Sequence, residues 1–201
     1  MPREVTRETT LNVLLIGDSC VGKTKLANSL HKKDSEFLHP TLGIDFIQSQ
    51  QVYQDTVVNL KTWEINIEKV TMLFDLKENL NFDFVFFCSD CQLRKRFNRI
   101  KASHNLLSLT ICKESRFILM ICKTDVLAAL APNEFHHFLI SIQKRSGNLN
   151  MPCIMSSAET DFFIDETRNM LLDSFVYKNP IKMSILKMVQ EFKAKSGLTD
   201  P

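Results

Sequence analysis

This sequence predicts an α/β fold built on a six-stranded, mostly parallel sheet with helices on both faces. Three observations carry that expectation. Apolar strand-like runs alternate with amphipathic helical stretches along the chain. Two of the runs, 82–88 and 117–122, are dominated by apolar residues, as in central parallel strands covered on both sides. The segment Gly17-Asp18-Ser19-Cys20-Val21-Gly22-Lys23-Thr24 fits G-x-x-x-x-G-K-[ST], a phosphate-binding loop, and lies between the apolar Val13–Ile16 and a helical pattern at Leu26, Ala27 and Leu30. Ligands of such sheets bind at the carboxyl ends of the strands, where this loop falls.

The elements follow in order. Residues 10–16 read as a buried strand, 22–32 as a helix, and 33–42 as a loop ending in Pro40-Thr41. Residues 44–53 and 56–65 read as two strands, antiparallel because Gln54-Asp55 is so short a link. After the strand at 82–88, a helix over 92–110 carries Leu93, Phe97, Ile100, His104 and Leu107 along one stripe. The strand at 117–122 is followed by a helix over 132–146 opened by Pro132, then a short strand at 152–155. Residues 160–178 read as an extra short helix, and 180–195 as a final helix with Ile181, Ile185, Met188, Val189 and Phe192 facing inwards. The expected organisation is an extension at 1–9, a domain over 10–196 with a helical insertion at about 160–178, and a short tail at 197–201.

A chain of 201 residues, 44% hydrophobic and 24% charged, suits one globular domain. A net charge of +2 gives no overall pull towards nucleic acid or anionic lipid. No apolar run approaches the roughly 20 residues of a membrane helix, and the N-terminus has no signal-peptide core. Six scattered cysteines suggest a reducing interior, and Cys88-x-x-Cys91 lacks the second pair a zinc site needs. The basic stretch Arg94, Lys95, Arg96, Arg99 and Lys101 reads as a solvated helix face.

The loop chemistry is specific. Gly17 and Gly22 let the backbone curl so that N–H groups from Asp18, Ser19, Cys20 and Val21 onwards face an anion, with the helix adding its positive end. Lys23 would reach terminal phosphates, and Thr24 would offer its hydroxyl to Mg²⁺. Further on, Pro40-Thr41-Leu42-Gly43-Ile44-Asp45-Phe46 resembles the first switch of small GTPases, the Rab branch in particular. The resemblance covers roughly residues 10–158 and the final helix. It implies a small-GTPase fold, GTP or GDP and Mg²⁺ as ligands, and Thr41 joining Thr24 on the metal; the two threonines are 17 residues apart.

The later family signals depart from the pattern. In one register Trp63-Glu64-Ile65-Asn66-Ile67-Glu68 stands for Trp-Asp-Thr-Ala-Gly-Gln, so that Glu64 replaces the Mg²⁺-side aspartate, Ile67 the glycine that senses the γ-phosphate, and Glu68 the glutamine that orients water. In a second register 69–75 is a strand and Asp75 is that carboxylate. In both, no glycine lies between Gly43 and Gly147. Cys122-Lys123-Thr124-Asp125 stands for Asn-Lys-x-Asp, with Asp125 available to two guanine N–H donors, and Ser157-Ala158-Glu159 stands for Ser-Ala-Lys, with the Ala158 N–H available to the guanine oxygen. The resemblance therefore implies a guanine-nucleotide-binding switch or scaffold in vesicle trafficking with hydrolysis impaired or absent; the alternatives are an interaction module that binds no nucleotide and a phosphate-loop kinase. Its partners would be effector or scaffold proteins on the switch face (34–80) or on 160–178, with no nucleic acid. The last cysteine is Cys153, which leaves no prenylation signal; the expectation is a cytoplasmic protein without a direct lipid anchor, reaching membranes only through partners.

Overall fold

The computed structural model describes residues 7–31, 36–38, 44–75, 81–91, 93–178, 181 and 185–196. Seven strands form one sheet: β1 (Arg7–Gly17), β2 (Glu36–Leu38), β3 (Asp45–Tyr53), β4 (Thr56–Asn66), β5 (Phe84–Ser89), β6 (Arg116–Ile121) and β7 (Cys153–Met155). Their order across the sheet is β2-β3-β4-β1-β5-β6-β7. β1 pairs parallel with both β4 and β5, and β5-β6-β7 continue parallel, whereas β2-β3-β4 are antiparallel. The six expected strands are all present. The seventh, β2, lies in the segment expected as loop and is three residues long.

The apolar runs form the middle of the sheet because both faces are covered. Every residue of β5 is buried, as are Leu11 and Val13–Ile16 of β1. β1 starts at Arg7, paired with Thr56, so three residues of the expected extension belong to the sheet. The β3–β4 hairpin turns at Gln54, whose φ of 56° is left-handed.

Among the described residues five α-helices flank the sheet: α1 (Lys23–His31), α2 (Leu93–Leu109), α3 (Pro132–Leu149), α4 (Ile164–Val176) and α5 (Ile185–Ser196). α2 buries Leu93, Ile100 and Leu107, the expected stripe. α3 runs past 146 because Gly147 does not end it; Asn150 does, at a left-handed φ of 50°. α4 packs on α1. α5 packs on β7, where the Met155 N–H donates to the Met188 thioether at 3.4 Å, and Phe192 stacks on Phe135 with centroids 5.4 Å apart.

Ile67–Phe74 is a 3-10 helix, not a strand. That removes the second register: β4 carries Glu64 to the sheet rim beside Leu15, and Asp75 merely caps the 3-10 helix.

Candidate functional site

The carboxyl ends of β1, β4, β5 and β6 share one rim, and the loop after β1 crosses it. Its two glycines are needed for different reasons. A Cβ at Gly17 would fall inside contact distance of the Cys88 carbonyl oxygen on β5. Gly22 instead has a φ of 108°, which L residues rarely adopt. Cys20 also sits left-handed, at φ 62°. Lys23 folds across the loop, its Nζ donating to the carbonyls of Gly17 at 3.0 Å and Asp18 at 2.8 Å.

Beside the lysine, Thr24 Oγ1 donates to Glu64 Oε2 at 2.9 Å. Glu64 is 3% exposed, and its Oε1 is buried with no hydrogen-bond partner among the described residues. Burial pushes the Glu64 carboxyl above the usual range, while the Thr24 hydrogen bond and the Lys23 charge pull the other way. An orphaned buried carboxylate oxygen next to a hydroxyl is an oxygen donor set suited to Mg²⁺. Thr24 and Glu64 thus fit a divalent cation. The expected third participant, Thr41, lies outside the described residues.

Several contacts on this side were not readable from the sequence. Asn66 Nδ2 donates to Ser19 Oγ at 2.8 Å, and Asn66 Oδ1 accepts the Glu68 N–H at 3.0 Å, which caps the 3-10 helix and ties it to the loop. The basic stretch of α2 is not simply a solvated face. Arg99 meets both carboxylate oxygens of Asp18, at 3.0 and 3.1 Å, and Glu68 Oε1 at 2.9 Å. Arg96, largely buried, reaches Asp18 at 3.3 Å and Asp90 at 3.4 Å.

On the other side of the loop, Lys123 adopts a left-handed φ of 57° and its ammonium donates to the Cys20 carbonyl. It ties this turn to the phosphate loop, next to the position, 122, where the resembled pattern has an asparagine and this chain has a cysteine. Cys122 is buried and packs against Gly22. Asp125 Oδ1 accepts the Ser157 hydroxyl, and Ser157 is held by its own N–H on the Phe162 carbonyl at 3.0 Å. Gly22, Lys123, Asp125 and Ala158 line a cleft of about 240 Å³. Glu159 meets Lys25 of α1 at 2.6 Å across the same cleft. Both are largely exposed, so the pair adds little stability. Glu159 thus brings a negative charge where the resemblance has a lysine, and Lys25 of α1 balances it. Gly17 to Thr24, Lys123, Asp125, Ser157 and Ala158 thus converge on one rim.

A phosphate loop on the central strand, a threonine–carboxylate pair beside it and a Lys-x-Asp turn on the next strands but one define a small GTPase of the Ras superfamily. Residues 2–175 match the ADP-ribosylation factor family, Arf. The Ras-related protein Rab7 of Glycine max is 42% identical over 59 residues, 29% of each chain. Ras-related protein RABG3a of Arabidopsis thaliana is 27% identical over 169 residues, 80% of this chain and 79% of its own length. Ras-related protein Rab-7a of Dictyostelium discoideum is 28% identical over 95 residues, 47% of each chain. Coverage of these relatives thus runs from under a third to nearly four fifths of their length. The chain belongs to the ADP-ribosylation factor family and, by these likenesses, is a Rab-like small GTPase. The family match ends at residue 175, inside α4.

Proposed function

We propose that this chain binds GTP and GDP with Mg²⁺ and acts as a switch or scaffold in intracellular trafficking, with hydrolysis impaired or absent. The observation that carries the reading is the Thr24–Glu64 pair with its orphaned Oε1, set against a complete phosphate loop. Lys23 and the loop amides hold phosphates, Thr24, Glu64 and Thr41 hold the cation, and Asp125 and the Ala158 N–H read guanine. Bound Mg²⁺ neutralises phosphate charge. Ser157 orients the Asp125 carboxylate.

Impaired hydrolysis rests on the two positions after Asn66. Ile67 is buried where the pattern has the sensing glycine, and the Glu68 carboxylate is engaged by Arg99 where the pattern has the water-orienting glutamine. Nothing at 68 can align a water on the γ-phosphate without placing a negative charge there.

Mass spectrometry of nucleotide co-purified with the protein, followed by titration with GDP and a GTP analogue, tests the reading. Lys23→Ala is expected to weaken both about 100-fold or more, because a charge-assisted contact to phosphate is lost. Single-turnover rates equal to those of glutamine-bearing relatives would refute impaired hydrolysis. The second reading, an interaction module without nucleotide, is favoured by Cys122 and Glu159, each of which removes a family contact of about 1–3 kcal/mol. Wild-type protein that binds neither GDP nor the GTP analogue at millimolar concentration would establish it. Partners are effector or scaffold proteins on 34–80 or on 160–178, in the cytoplasm and at membranes through those partners. Among the described residues no helix is long and apolar enough to cross a membrane.

A further inference from the structure

The phosphate end of the rim opens into a second cavity of about 360 Å³, and its lining holds two lysines. One is Lys23. The other is Lys69, in the first turn of the 3-10 helix Ile67–Phe74, which the small-GTPase pattern does not use. Lys69 is exposed and makes no ion pair among the described residues. Its neighbour Glu68 does not line the cavity; its carboxylate is turned to Arg99 on α2. Two hydrogen bonds set this arrangement: Asn66 Oδ1 fixes the first turn of the 3-10 helix, and Asn66 Nδ2 ties that turn to Ser19 of the phosphate loop. The cavity therefore receives a cation from the segment where the pattern would supply a glycine N–H.

We propose that Lys69 is a ligand of the third phosphate and sets the preference for triphosphate over diphosphate. This rests on the nucleotide-binding reading above. The diphosphate lies in the loop under Lys23 and the loop amides. A third phosphate extends outwards into the cavity that Lys69 lines, and it carries the extra negative charge a lysine recognises. Glu64 and Asp45 also line the cavity, so Lys69 discriminates only if it meets phosphate and does not merely balance those two carboxylates.

Equilibrium titration of the full chain with N-methylanthraniloyl-GDP and with the β,γ-imido analogue of GTP, both with Mg²⁺, reads the preference directly. Lys69→Ala is expected to weaken the triphosphate about tenfold and the diphosphate less than about twofold. Lys69→Arg should retain the preference and Lys69→Glu should reverse it. Urea midpoints of the three variants should match the wild type, since the side chain is exposed. Equal weakening of both ligands, or no change in either, with wild-type protein that binds both, overturns this inference and leaves the nucleotide reading intact. Wild-type protein that binds neither ligand overturns both.

Discussion

His31 closes α1 beneath the sheet, with Nδ1 2.8 Å from Ser49 Oγ and Nε2 2.7 Å from Thr62 Oγ1. Burial, helped by the charge of Arg168, pulls its pKa down from 6.5 to about 4. The folded state therefore holds the ring neutral, and the unfolded chain takes up the proton first. Its contribution is complete above pH 6.5 and is lost as pH falls from there to about 4, a loss of roughly 3 kcal/mol in all. Urea unfolding at steps between pH 7 and pH 4 should show that loss, and His31→Gln should flatten the part due to this ring. At this scale the sequence was legible where one short motif holds all the partners, as in Gly17 to Thr24. It was not legible where partners are distant: Asp18, Glu68, Arg96 and Arg99 meet only through the packing of α2 on the rim. The charge run of α2 looked like a solvated face because nothing local distinguishes an arginine in water from one aimed at a carboxylate.

Among the elements, the joint between α1 and α4 has one dominant side chain. Arg168 is 6% exposed, its Nε donates to the Leu30 carbonyl at 2.8 Å, and its terminal nitrogens reach the Ser29 carbonyl and Asp165. It satisfies carbonyls that the last turn of α1 leaves unpaired. Arg168→Ala leaves the Ser29 carbonyl without its donor and the Leu30 carbonyl with only the Gln51 amide at 2.9 Å, and should lower stability by about 1–3 kcal/mol, measured as a shift in the urea midpoint at constant slope. Element types were readable in the long periodic helices and apolar strands. The apolar stretch at 67–74 was ambiguous because a short run suits either a strand or a helix. Its buried residues, Ile67, Val70 and Leu73, fall three apart, the period of a 3-10 helix, and the Asn66 cap completes the signal. β2 is three residues long, too short for any pattern.

For the molecule as a whole, α5 is the part beyond the family match, and its apolar face is anchored by Phe192. That ring lies between Phe135 of α3 and Phe162, and Phe162 in turn holds Ser157 through its carbonyl. Phe192→Ala should lower stability by about 3–4 kcal/mol, checked by thermal and urea unfolding. The sheet and the alternation of its strands and helices were legible because alternating strands and helices constrain topology strongly; where the helices after β7 pack was not, because 160–178 and 180–195 are both amphipathic and only their contacts, α4 on α1 and α5 on β7, separate them. The hydrogen bond from Met155 to Met188 has a further consequence for how copies of this chain can associate. A sheet grows between molecules where an edge strand offers unpaired backbone groups. At β7 an outward N–H is taken by a thioether and a helix lies over the strand. Edge-to-edge pairing through β7 would first have to displace that thioether and α5.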